Sequence, residues 1–322
     1  MRTIRTATAV VFAALAAWLT LEVPYSAHAQ PQPQPGGKGK GGGKGFAQDP
    51  RAQTRTYHFE DTNEDLPYSL YVSSKVKKGQ KAPMIVTLHG LGAPQTIMMG
   101  AAAIDLAEEG GYILVSPMGY NTGGWYGSPQ FSGGPGRGKG KAAPPPPGDD
   151  KDGPAAAPTP APNPGAAKGK GFGGIGGGNQ PANLRELSEK DVMNVIAMVH
   201  KEFKIDDKRV YIMGHSMGGA GAIYLGSKYP KMFAAVAAEA PAAFWQTKKE
   251  TLQPLKDAKV PVMIVHGDID EVVPVTNSQG WVDVMKELKM DYEFVEQPGI
   301  THGPVIQSGL KPIYAFFAKH KK

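Results

Sequence analysis

The hexapeptide Gly214-His215-Ser216-Met217-Gly218-Gly219 stands between an apolar run, Arg209 to Met213, and a stretch of helical spacing at residues 217 to 229. A chain that passes from a buried strand into a helix within so few residues must turn sharply. The crowding at such a turn is relieved by residues without a Cβ atom. The pattern G-x-S-x-G in this setting predicts a strained turn that presents Ser216 as a nucleophile, with Gly218, Gly219 and Gly221 letting the following helix pack closely. Such a turn needs a sheet with helices against it.

The rest of the chain supplies that sheet. Strands are expected at 55 to 60, 66 to 73, 83 to 88, 112 to 116, 209 to 213, 233 to 238, 260 to 265 and 292 to 295, where short apolar or alternating runs are bounded by turn residues. Helices are expected at 95 to 109, 191 to 203, 217 to 229, 247 to 257, 275 to 288 and 309 to 319. The clearest has Val192, Val195, Ile196, Val199 and Phe203 on one face. Alternation of this kind predicts an α/β fold with a mostly parallel sheet flanked by helices, and ligands bind such sheets beyond the carboxyl ends of the strands.

A serine hydroxyl is a weak nucleophile and needs a base, itself oriented by an acid. In this arrangement the acid and then the histidine follow the serine in chain order, each on a loop after a later strand. The run His266-Gly267-Asp268-Ile269-Asp270-Glu271 follows one such strand, and Gly299-Ile300-Thr301-His302-Gly303 follows the last. Asp270 is the expected acid and His302 the expected base. Asp268 competes with Asp270, and the spacing of the two carboxylates also suits a cation. His89, His215 and His266 are read as loop supports, His200 as a helix-surface residue and His320 as part of a basic tail. Two backbone donors must hold the oxyanion, one after the nucleophile and one from an early post-strand loop. Met217 and Leu91, the latter in His89-Gly90-Leu91-Gly92, occupy those places.

Of the 322 residues none is cysteine, which excludes disulfides, thiolate metal sites and thiol nucleophiles. Arg2 and Arg5 precede an uncharged stretch, Thr6 to Leu21, shorter than the roughly 20 residues that span a bilayer, and Ala27-His28-Ala29 follows. Residues 1–29 therefore read as an export signal, giving a periplasmic or secreted protein. Residues 30–50 and the insert at 127–182 have the Gly, Pro and Lys content of chain too poor in apolar residues to fold. These tracts carry charges of +2 and +3 and the leader +1, so the net +6 leaves the remainder, 51 to 126 with 183 to 322, formally neutral. That distribution argues against nucleic acid as a partner and leaves weak contact with an anionic cell-wall polymer or membrane surface as a role for the tracts. They share an echo, Gly43-Lys44-Gly45-Phe46 and Gly169-Lys170-Gly171-Phe172, that compositional drift also explains.

With these residues in place, the chain from 55 to 320, insert excepted, resembles the α/β-hydrolase superfamily. Leu88-His89-Gly90-Leu91-Gly92, Ser116-Pro117-Met118-Gly119-Tyr120 and Gly214 to Ala220 are similar to its secreted esterase branch of polyhydroxybutyrate depolymerase-like, feruloyl-esterase-like and prolyl-oligopeptidase-type hydrolases. The resemblance implies a serine hydrolase cleaving carboxylic esters through an acyl-enzyme, with no metal or organic cofactor. A peptidase or acyltransferase would use the same residues, and a non-catalytic wall-binding protein would use only the scaffold. Trp125 and Tyr126, just before the insert, and Phe244 and Trp245, after the strand at 233 to 238, are candidate substrate-lining residues, for which core packing is an equal alternative.

Overall fold

The computed structural model describes residues 47–129 and 180–322. The expected leader, most of the expected linker, the echoed tetrapeptides and nearly all of the insert lie outside them. In the described residues the strands are β1 (Gln53–Phe59), β2 (Glu64–Val72), β3 (Ala82–Leu88), β4 (Ile113–Pro117), β5 (Ile205–His215), β6 (Ala235–Glu239), β7 (Val262–Gly267) and β8 (Tyr292–Gln297). The helices are α1 (Ala101–Gly110), α2 (Leu184–Glu202), α3 (Met217–Lys228), α4 (Lys248–Asp257), α5 (Val275–Glu287), α6 (Val305–Ser308) and α7 (Leu310–Lys319).

The strands form one sheet in the order β1-β2-β4-β3-β5-β6-β7-β8. β1 and β2 run antiparallel, and every pairing from β4 onward to β8 is parallel. The central strands carry helices on both faces, so nearly every side chain in them is apolar. All seven residues of β3 are buried. Because side chains alternate across a strand, each feeds two cores. Met84, Val86, Leu88, Val210 and Ile212 pack on the face covered by α2 to α5, whereas Ile85, Tyr211 and Met213 pack on the face covered by α1 and α7. Truncating one of these to alanine removes about 2–5 kcal/mol.

Three boundaries differ from the sequence reading. The helix expected at 95 to 109 is broken: a 3-10 turn, Gln95–Met99, meets Gly100 in extended backbone before α1 begins. α1 then stops at Gly111, which is left-handed at φ 71°, while the Tyr112 amide donates to the Ala107 carbonyl at 2.9 Å. α2 starts at Leu184, seven residues earlier than its apolar periodicity indicates, because its first turns are buried through polar side chains. Ser188 and Glu189 are both buried there, and Ser188 Oγ accepts the Tyr126 amide at 2.9 Å. At the other junction, Asp49 is buried and its amide donates to the Met99 carbonyl, so packed chain begins before residue 51.

Candidate active site

Ser216 sits between β5 and α3 with φ 56° and ψ −114°, left-handed backbone for a residue with a side chain. Crowding enforces that turn. A Cβ on Gly218 would lie 2.1 Å from the Leu88 carbonyl oxygen, and one on Gly214 would lie 2.3 Å from that of Gly218. The Ser216 amide donates to the Glu239 carbonyl at 2.8 Å, which anchors the turn to the end of β6.

The loops after β7 and β8 bring the expected acid and base together. Asp270 Oδ2 accepts the His302 Nδ1 proton at 2.7 Å, so Nε2 is the ring nitrogen of His302 that this pair leaves unused. Asp268 instead accepts the Gly299 amide at 2.7 Å and is exposed, so of the two competing carboxylates only Asp270 reaches a histidine. Burial would raise the Asp270 pKa, but hydrogen bonds from His266, His302 and the Val273 amide outweigh it and hold the group below the usual carboxylate range. Among the described residues, no cluster of three His, Cys, Asp or Glu side chains could hold a metal.

Two further histidines surround this pair. His215 Nε2 donates to the His302 carbonyl at 2.9 Å, and the two rings lie 4.6 Å apart, which places His302 against the residue preceding Ser216. Burial, with the His302 charge next, pushes His215 down to about 3, so it is neutral at neutral pH. His266 faces two acceptors through Nε2, Asp270 Oδ2 at 3.2 Å and the Val273 carbonyl at 2.9 Å, so Nε2 carries the proton. Its Nδ1 accepts the Ser278 hydroxyl at 2.6 Å. His89 lies between the Gly90 and Met118 carbonyls at 2.9 and 2.8 Å, and burial lowers its pKa. Each of the three rings braces loop backbone, as the sequence reading expects.

The loop after β3 closes against the turn. A Cβ on Gly90 would stand 3.0 Å from His215 Nδ1 and 3.5 Å from Ser216 Cβ. The Leu91 amide meets no acceptor among the described residues. Met217 is the first residue of α3, and an amide there has no intrahelical acceptor.

The four aromatic candidates separate. Trp125 is half-buried beside Leu91, and Phe244 and Trp245 are half-buried after β6. Tyr126 is a correction. It is fully buried and its hydroxyl donates to the His89 carbonyl at 3.1 Å, so it braces the loop that carries Leu91 and does not reach a substrate surface. The reason is local: Trp125, Tyr126 and Gly127 are all left-handed, and the tight turn they form packs Tyr126 against His89 while Trp125 stays half-buried. Asp191 holds the preceding segment, accepting the Gly119 and Tyr120 amides and the Tyr57 hydroxyl at 2.6, 3.0 and 2.6 Å.

Glu239 is not among the residues expected from the sequence. It ends β6 directly behind Ser216, is fully buried, and neither carboxyl oxygen has a hydrogen-bond partner among the described residues. Burial raises its pKa well above the usual range. A glutamate closing an otherwise apolar strand, Ala235-Val236-Ala237-Ala238-Glu239, is the only signal that pointed to it.

Solved structures share this arrangement of strands over most of the chain. A thermostable esterase superposes with a TM-score of 0.56 at 16% identity, covering 84% of this chain and 63% of its own. An S-formylglutathione hydrolase from Agrobacterium tumefaciens gives 0.56 at 14%, covering 84% and 95%. The chain has the α/β-hydrolase fold. A ferulic acid esterase from Anaeromyces mucronatus has the same fold, with a TM-score of 0.54 at 18% identity over 84% and 90% of the two chains. Within this fold, residues 190–296 match the Esterase family, described as "Putative esterase". Cutinase 2 of Thermobifida cellulosilytica is 31% identical over 100 residues, 31% of this chain and 35% of that protein. Cutinase est1 of Thermobifida alba is 36% identical over 74 residues, 23% and 22% of the two. The chain thus spans between a fifth and about a third of the length of these curated relatives.

Proposed function

We propose that the protein is an exported carboxylic ester hydrolase in which Ser216, His302 and Asp270 form a catalytic triad. The observation that carries the reading is the strained Ser216 turn packed through His215 against a His302 whose Nδ1 proton is held by Asp270. In this reading His302 Nε2 takes the Ser216 proton as Oγ attacks the ester carbonyl, and the imidazolium that forms is stabilised by ionised Asp270. The Leu91 and Met217 amides receive the oxyanion. His302 then protonates the leaving alcohol, and water enters by the reverse sequence to release the acid from Ser216.

The match to the Esterase family over 190–296 and the partial likeness to cutinases favour ester over amide chemistry. The rim supports an apolar substrate. Ile269 and Val272, the exposed large apolar residues of the described chain at 52% and 54%, flank Asp270, with Phe244 and Trp245 as further candidates for the acyl or aryl group. Export rests on the leader read from residues 1–29, and no described helix is long and apolar enough to cross a membrane.

The deciding experiment is hydrolysis of p-nitrophenyl esters from acetate to long acyl chains by the mature chain, with Ser216→Ala alongside. Turnover should fall on the order of 10⁶-fold in the variant. Turnover that survives the substitution, or none on any chain length, overturns the reading.

A further inference from the structure

Leu91 also walls a cavity of about 530 Å³. Its floor, the Asn121 to Gly123 segment, is tied to the Leu91 loop by the bond from the Gly92 amide to the Thr122 carbonyl at 2.8 Å. A Cβ on Gly123 would lie 3.7 Å from Leu91 Cδ1. A second wall is the half-buried Trp125, whose left-handed backbone, φ 60°, turns Tyr126 into the core and leaves the indole on the cavity. For a bulky residue such a backbone is a genuine outlier, of the kind found where a side chain must be aimed.

Leu184 and Arg185 line the cavity as well. Arg185 is exposed, and no carboxylate among the described residues pairs with it. It stands in the first turn of α2, where the helix dipole opposes a cation, so the guanidinium does nothing for the helix itself. The cavity therefore combines three apolar side chains, Leu91, Trp125 and Leu184, with polar walls from Asn121, Thr122 and Gln180 and a guanidinium that no carboxylate among the described residues pairs with. The chemistry that matches both is an ester carrying a free carboxylate, separated from the scissile bond by an apolar spacer. A guanidinium accepts that carboxylate in a planar, two-point pair that an ammonium cannot reproduce.

We propose that this cavity is a subsite in which Arg185 binds the free carboxylate of half-esters and of oligoesters ending in an acid. The inference rests on the reading of Ser216 as the nucleophile and names the substrate class for it. Monomethyl and dimethyl adipate differ in that one charge, and the readout is the ratio of their kcat/KM values at low and high salt. Arg185→Gln should lower the ratio about five-fold, the size expected of a solvent-exposed ion pair, and should do so through KM for the half-ester. Arg185→Lys should recover part of the loss. Salt should erode the wild-type ratio and leave that of Arg185→Gln flat.

A ratio unmoved by Arg185→Gln, or equal losses on both esters, overturns the subsite while the esterase reading stands. If neither ester is cleaved by a route that Ser216→Ala abolishes, the esterase reading fails. Calorimetric titration of the Ser216→Ala protein with monomethyl adipate then tests the subsite alone. Binding weakened by Arg185→Gln supports it, and binding unchanged by that substitution, or absent, overturns it.

Discussion

Replacing Glu239 by glutamine should make the protein more stable, by an amount that grows with pH. The carboxyl is fully buried at the end of β6, its two oxygens have no partner among the described residues, and burial raises its pKa well above the usual range. The folded protein therefore holds Glu239 protonated, while in the unfolded chain it ionises near 4.3. Above that value unfolding releases a proton. The native state then loses a factor of ten in its folding equilibrium, about 1.4 kcal/mol, for each further pH unit over which the buried carboxyl stays neutral. Stability is thus full below the unfolded pKa and declines as pH rises toward the folded one. Glutamine keeps the shape and removes the titration. Between about pH 5 and 7 the gap between the wild type and Glu239→Gln should widen by about 1.4 kcal/mol for each pH unit over which Glu239 stays neutral, or roughly 3–6 °C in Tm for a chain of this size. Urea midpoints measured at each pH give the comparison directly. Parallel stability curves for the two proteins across that range would refute the reasoning, because they would mean that Glu239 titrates alike in both states.

Gly90→Ala should reduce ester turnover at least ten-fold with little loss of stability, since the new methyl stands 3.0 Å from His215 Nδ1 and 3.5 Å from Ser216 Cβ; paired kinetics and melting curves check it. Asp191→Ala strands the buried Gly119 amide and removes the acceptor for Tyr120 and Tyr57, and a urea midpoint should report about 3 kcal/mol of destabilisation. His266→Phe removes one donor to Asp270 and the acceptor for Ser278. The Asp270 pKa should then rise toward the usual carboxylate range, which a carboxyl NMR titration would read, while Ser216 labelling by a fluorophosphonate persists.

How much of this was legible in advance depended on whether the information is local. The strand-to-helix turn at Ser216 follows from glycines that must sit where a Cβ would strike backbone, and the chain order of Ser216, Asp270 and His302 follows from loops after successive strands. The eight strands and the apolar face of α2 were readable because burial imposes periods of 2 and 3.6 on the sequence. The start of α2 was not, because its first turns are buried through Ser188 and Glu189, polar residues whose partners, Tyr126 and Lys228, come from distant parts of the chain. Tyr126 itself looked like a rim residue. Its adjacency to Trp125 says nothing about a left-handed turn that packs Tyr126 against His89 while Trp125 stays half-buried.

The sequence by itself determined the α/β alternation, the serine turn and the identities of an acid and a histidine on late loops, because steric crowding and burial act within a few residues. The tertiary structure alone decided that Asp270 and not Asp268 meets His302, that Glu239 is sealed behind Ser216, and that Arg185 stands over a cavity walled by Leu91 and Trp125. Hydrogen bonding and desolvation depend on which atoms face one another across the sheet, and residues far apart in the chain settle that only once the strands have packed.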